Sequence, residues 1–305
     1  MLLLLTGSND GTSDLIVSKL GERVFRFNFD LYNEYELAFT PSFWSITNPV
    51  GLSIDSNTVT TAFWWKVFNY YLLDEEQFLV EEVKYIFREL YHHCRLRGLT
   101  RGVPHDFHNH YGKLNILNIA AKYFRVPETL ATFRLAGVSN FASKSVVAKS
   151  FSSGLTTTNK ALFTTEVNKS ALHPDFPWFL QEKIDGTADI TIFICGDMLF
   201  AFERSRRQLK GLDWRAEQTF DTTIEEWSPF HLSCSVTNSV WSTCKDLSVD
   251  WGRMDLMRQG DELVFLEYNA NGQWVFLDYQ QKYGLLDAVT TYLTTNKDDR
   301  TRSTH

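Results

Sequence analysis

Three oxygen-bearing side chains toward the end of the chain have the spacing of a site for a hard cation. Glu267 and Asn269 lie two apart in a run, 263–269, that reads as a β-strand. The two-residue pleat repeat therefore points both to one face. Asp255 lies on the preceding strand, 252–257, across the turn formers Gln259-Gly260-Asp261. If Asp255 faces the same side, three oxygen ligands converge with no Cys or His among them. That is the donor chemistry of magnesium, which commonly shares its shell with substrate phosphates. The plain alternative is a solvated sheet face bearing alternating acids.

Two lysines stand where phosphates could be met, although either alone also reads as a solvated surface lysine. Lys149 ends a short strand, 145–149, just ahead of the Ser/Thr/Gly-rich stretch 150–159, which reads as a mobile loop. A lysine in that place works together with backbone amides as an anion cradle. Lys113 opens a helix whose Ile116, Leu117, Ala120, Ala121 and Phe124 share one face. The apolar strand Trp178-Phe179-Leu180-Gln181-Glu182-Lys183-Ile184 turns polar at its end, where a backbone amide and carbonyl could pair with an adenine edge. The chain lacks both G-x-x-x-x-G-K-[ST] and G-x-G-x-x-G, so P-loop and Rossmann chemistry lack support. His105, His108 and His110 fit neither a helix face nor a zinc signature. No general base is evident.

The elements that must position these residues alternate in type. Residues 2–5 form an apolar strand, Gly7-Ser8-Asn9-Asp10-Gly11 a turn, and a helix capped by Ser13 or Asp14 runs to Lys19. Residues 24–29 alternate as a strand, 58–68 form a β-rich run, and 79–94 repeat at helical spacing. Residues 96–112 read as an inter-domain linker. Later come a proline-led strand at 126–130, a hairpin of 188–195 with 198–203 about Gly196-Asp197, and helices over 236–247 and 282–293. At 305 residues the chain has room for about two packed units, and its 44% hydrophobic content with 24 Phe and 9 Trp supplies a core. The net charge of -7 argues against broad capture of nucleic acid, although Arg204, Arg206, Arg207 and Lys210 make a local basic patch. The 4 cysteines, Cys94, Cys195, Cys234 and Cys244, are scattered and read as reduced thiols of a cytoplasmic protein. The apolar start is too short to span a bilayer, and no membrane partner is expected.

The order of these features is specific. A Lys before a helix, a Lys on a strand, Gln-Glu-Lys-Ile, a hairpin, an Arg, then Asp and Glu-x-Asn resembles the ATP-grasp superfamily, over residues 109–278. Within it the sequence is most similar to peptide macrocyclases of the microviridin (graspetide) type, and also resembles ribosomal-protein glutamate ligases. The likeness is carried by Phe25-Arg26-Phe27-Asn28-Phe29-Asp30, by Val126-Pro127-Glu128-Thr129-Leu130, and by Asp213-Trp214-Arg215. It is most specific in the run 265–274, which includes Glu267-Tyr268-Asn269 and Asn271-Gly272-Gln273-Trp274.

The resemblance implies an α/β (α+β) chain: an N-terminal pre-ATP-grasp domain over 1–105, a central grasp subdomain over 106–200, and a C-terminal subdomain with the metal site over 201–295. A polar tail, 296–305, follows, and nucleotide would sit between the two grasp subdomains. It further implies ATP and Mg²⁺ as cofactors. Lys113 and Lys149 would contact phosphates. Glu182, Lys183 and Ile184 would form the adenine hinge, and Asp255, Glu267 and Asn269 would hold two magnesium ions. Arg204 and Arg215 would line the acyl-phosphate site. The implied partner is a precursor peptide, leader plus core, whose Asp or Glu side chain is phosphorylated and then joined to a hydroxyl or amine as an ester or amide. Many relatives are dimers, so a homodimer is open. The sequence departs from the family at Asp189-Ile190-Thr191, where an Arg is usual at the third place, leaving Arg204 or Arg206 to compensate. It departs again at Trp64-Trp65-Lys66, which has one cation where two are usual. Two other readings fit the same residues: a ligase joining free amino acids or peptides, and a grasp-fold module that binds a peptide without catalysis.

Overall fold

The computed structural model describes residues 1–67, 76–102, 107–133, 138, 141–143, 145–151, 163–207, 209, 211–212 and 227–295, with backbone only at 107–110. The first strand, β1 (Leu2–Thr6), is buried along its whole length. It is a central strand of a parallel sheet, where both faces are covered and an unbroken apolar run is the expected sequence. Helix α1 (Gly11–Leu20) follows; it is capped by Asp10, whose carboxylate accepts the Ser13 N–H, rather than by Ser13 or Asp14. Strand β2 (Val24–Asn28) alternates in burial and pairs with β1. A small antiparallel sheet of β3 (Glu36–Phe39), β4 (Trp44–Thr47) and β5 (Ser53–Asp55) comes next. The parallel sheet is completed by β6 (Thr61–Trp64), helix α2 (Gln77–Leu96) and β7 (Thr100–Arg101), in the order β2-β1-β6-β7.

The expected linker over 96–112 is thus largely structured. Its first part pairs as β7, and helix α3 (Phe107–Ala120) already begins at Phe107. Gly112, at φ 65°, kinks that helix, so that Lys113 opens its second segment. The next four strands form one antiparallel sheet: β8 (Thr129–Thr132), β9 (Val146–Lys149), β10 (Thr165–Val167) and β11 (Trp178–Glu182), in the order β10-β9-β11-β8.

The largest sheet holds the metal-type residues. It is built from β12 (Ala188–Cys195), β13 (Met198–Ser205), β14 (Ser228–Pro229), β15 (Trp251–Gln259) and β16 (Glu262–Asn269), ordered β14-β13-β12-β15-β16. Both hairpins expected from sequence are present, and residue 200 falls inside the first. Helix α4 (Cys234–Asp246), capped by Ser233, precedes β15, and helix α5 (Leu285–Thr294) closes the described chain. Helix α5 packs on α1, β6 and β12, while α3 packs on β16.

One apolar core runs from Leu2 and Leu4 through Ile190, Ile192 and Ile194 to Val289 and Leu293. The alternate residues of β1, Leu3 and Leu5, belong to a second core with Phe87 and Leu90 of α2. The period of two in a strand thus gives β1 to both layers. All four cysteines are free, with Cys94, Cys195 and Cys244 buried. Among the described residues no helix is long and apolar enough to cross a membrane.

Candidate functional site

In the β15–β16 hairpin, Asp255 lies directly across from Glu267, and Arg253 from Asn269. On the other side of β15, Thr191 of β12 is the partner of Asp255. The pleat carries Glu267 and Asn269 to one face, and Asp255 joins them. Asn269 Nδ2 donates to Asp255 Oδ2 at 2.8 Å and to Glu267 Oε1 at 3.0 Å. Thr191 Oγ1 donates to Asp255 Oδ1 at 2.9 Å, and Arg253 Nη2 to Asp255 Oδ2 at 2.9 Å. Two carboxylates opposite each other on paired strands repel unless cations offset them. Here the donor set is two carboxylates and an amide, all oxygen once the Asn269 amide turns its Oδ1 inward, which fits magnesium. Among the described residues no group of three His, Cys, Asp or Glu side chains is placed to hold a metal.

The lysines reach the same place from other elements. Burial alone would raise the Glu267 carboxyl; the charge of Lys149, a hydrogen bond from Asn269 and the charges of Arg253 and Lys113 together hold it below the ordinary carboxylate range. Lys149, at the end of β9, and Lys113, on α3, thus both act on the Glu267 carboxyl through their charge. Lys113 Nζ also donates to the Ser150 carbonyl at 2.7 Å, which ties the helix to the end of β9.

Opposite the hairpin stand the hinge residues. Gln181, Glu182, Lys183 and Ile184 line one cleft with Lys149, Asp255 and Glu267. Lys183 pairs with Glu166 at 2.7 Å, and this hydrogen bond raises its pKa. The Glu182 carboxylate is taken by Arg125 Nη2 at 2.7 Å. The backbone N–H groups of Glu182 and Lys183 donate to the carbonyls of Glu128 and Ser145.

The arginines divide differently from the sequence expectation. Arg204 is 1% exposed, bonded to Asp189 Oδ2 at 3.1 Å and stacked 5.3 Å from the Trp227 ring. It is not among the cleft-lining residues. Arg206 does line the cleft, with Nη1 on Asp189 Oδ1 at 2.6 Å. Arg215, with Asp213 and Trp214, lies outside the described residues, as do residues 152–159 of the expected loop, His105 and the side chains of His108 and His110. Arg253 lines the cleft and was not singled out from sequence. Its signal was available: it stands two residues before Asp255 on a strand, and so shares that residue's face.

No model of a known protein family matches the chain, and no curated protein does. Solved structures do. A RiPP-associated ATP-grasp ligase from Chryseobacterium gregarium, in complex with ADP and a leader and core peptide, is 22% identical, with 96% of each chain covered and a TM-score of 0.76. The macrocyclase MdnC from Microcystis aeruginosa, bound with precursor peptide MdnA, is 21% identical over 96% of this chain and 99% of that one, with a TM-score of 0.78. The ATP-grasp ligase PsnB, complexed with minimal precursor, Mg and ADP, is 14% identical over 96% and 97%, with a TM-score of 0.72. The fold of this chain is the ATP-grasp fold.

Proposed function

We propose that this chain is an ATP- and magnesium-dependent ligase that activates a side-chain carboxylate of a precursor peptide and crosslinks it to a second side chain of that peptide. The observation that carries this reading is one cleft in which Lys149 and the hinge residues 181–184 stand with Asp255 and Glu267, whose carboxylates both accept from Asn269. The structures of this fold with ADP, with magnesium and with leader and core peptides supply its substrates by analogy.

Asp255, Glu267 and Asn269 are the residues that would hold magnesium, which when bound neutralises charge on the β- and γ-phosphates. Lys113 and Lys149 bind the phosphates, and the Ile184 end of the hinge orients the base, the N–H groups of Glu182 and Lys183 being engaged by Glu128 and Ser145. A carboxylate is a poor electrophile because its charge repels nucleophiles. In the first step a carboxylate oxygen bonds to the γ-phosphorus as the bond to ADP breaks. In the second, a Ser or Thr hydroxyl or a Lys amine bonds to the acyl carbon, phosphate leaves, and the nucleophile gives up its proton. The net change in the peptide is loss of one water per crosslink. The protein contributes position and charge rather than covalent chemistry.

Mass spectrometry of the purified chain with Mg-ATP and the short peptide encoded nearest to its gene tests this. Loss of water in whole-number steps is expected, dependent on ATP and abolished by Glu267→Gln. ADP release with a gain in mass would replace crosslinking by addition of a free amino acid. Tight peptide binding with neither change would leave a binding module.

A further inference from the structure

One side chain outside the cleft is bonded to both of its walls. Arg125 follows the turn after α3, next to Phe124, which is buried and stacks 6.1 Å from the Phe265 ring. The Arg125 carbonyl accepts the Phe265 N–H at 2.8 Å, and a parallel bridge to Val264 seats this backbone against β16. From there the guanidinium forks. Nη2 donates to Glu182 Oε1 at 2.7 Å, at the end of β11. Nη1 donates to Gln259 Oε1 at the turn of the β15–β16 hairpin and stands 3.6 Å from Glu262 Oε2. The other Glu182 oxygen accepts the Glu128 N–H at 3.2 Å. Both oxygens of the hinge carboxylate are thus taken by the segment 125–128.

The same two walls meet through apolar side chains. Ile184 of the hinge packs with Met257 and Val264 of the hairpin, and Leu266 lies against them. Ile184, Met257 and Leu266 line the cleft, whereas Arg125, Gln259 and Glu262 are not among the lining residues. Apolar contact is non-directional and tolerates sliding. A planar guanidinium held by acceptors on two elements sets distance and angle together. Gln259 shares a strand with Asp255, four residues away, or about 13 Å along it. A shift of the hairpin turn against the hinge therefore moves the metal-type residues relative to the base end of the cleft.

We propose that Arg125 is a positioning residue for the nucleotide: by bridging Glu182 and Gln259 it fixes the spacing between the hinge and the metal-type hairpin; this rests on the ligase reading above. Arg125 acts from outside the cleft, through the two elements it joins. Its side chain is about a third exposed, as is that of Glu182, and ion pairs of that kind contribute little to stability. The effect of losing it is therefore expected in the alignment of the two walls, where a displacement of about 1 Å is costly. ADP without metal is held from the hinge and Lys149, on one sheet. ADP with magnesium is held from the hairpin as well, so the strengthening that magnesium gives to ADP binding measures how well the two walls are aligned.

Isothermal titration of the full chain with ADP, in excess magnesium and in excess chelator, tests the bridge. Arg125→Gln is expected to cut the gain from magnesium about tenfold, while affinity for metal-free ADP stays within about threefold of wild type. The double variant Gln259→Ala/Glu262→Ala leaves Arg125 on Glu182 and is expected to do the same. Adding Arg125→Gln to that variant should cut the gain no further, because both changes break one bridge. The result is a ratio of two affinities within one variant, so a general loss of stability does not imitate it. An unchanged gain in both variants, or an equal fall with and without magnesium, overturns the bridge and leaves the ligase reading standing. A wild type that binds no ADP, or binds it without any gain from magnesium, overturns the ligase reading and the bridge with it.

Discussion

Asp189 shows how much one side chain can organise. It is 8% exposed and holds two arginines, Arg204 at 3.1 Å and Arg206 at 2.6 Å. Removing it takes a carboxylate partner from a guanidinium that is itself buried. Asp189→Ala should therefore cost about 3–5 kcal/mol, read as a lower urea midpoint. The pairing is legible in sequence: a two-residue turn at Gly196-Asp197 fixes the hairpin register, and that register sets Asp189 opposite Arg204. What sequence alone does not show is which face of the hairpin is enclosed, and so it does not show that Arg204 is buried against Asp189. The Glu267–Asn269 spacing is legible for the opposite reason. Its period of two depends on nothing beyond the strand that carries it.

At the scale of elements, the metal-type hairpin depends on a residue without a side chain. Gly252 sits at φ 138° on β15, and a Cβ there would lie 2.7 Å from Tyr268 Cζ and 3.0 Å from the Asn269 carbonyl. Tyr268 has no room to retreat, since it is buried and its hydroxyl donates to the Trp251 carbonyl. Gly252→Ala should destabilise the fold by about 2–3 kcal/mol, seen in chemical denaturation, and should reduce the thermal stabilisation given by Mg-ATP. Strands and hairpins with clear alternation are the elements most readable from sequence. Boundaries are less so where a distant side chain decides them. Helix α5 starts at Leu285 rather than near 282 because the Asp278 carboxylate takes the N–H groups of Lys282, Tyr283 and Leu285. Strand β7 has two residues, too few to show a period, and its neighbourhood reads as linker.

For the molecule as a whole, aromatic side chains among the described residues tie its layers together. Trp251 meets Phe63 at 5.0 Å, Trp65 at 6.1 Å, Phe193 at 5.2 Å and Tyr292 at 5.3 Å, joining the first sheet, the largest sheet and α5. Trp251→Ala should cost about 3–5 kcal/mol. Because the core is shared, far-ultraviolet circular dichroism and tryptophan fluorescence should report the same unfolding midpoint in the wild type. Composition gives the surplus but not its destination: a chain rich in Trp and Phe looks the same whether it covers a partner or fills its own interior.

The alternation in β1 bears on how such a chain can be recombined. With Leu2 and Leu4 given to one core and Leu3 and Leu5 to the other, this strand is a party wall, and no cut on either side of it leaves an intact neighbour. A chimera that exchanged the first hundred residues for those of a relative would inherit a foreign wall beneath Trp251 and Phe193. Functional hybrids should therefore be recovered only when the residues facing β1 and β6, those of α5 and β12 above all, are exchanged in the same step.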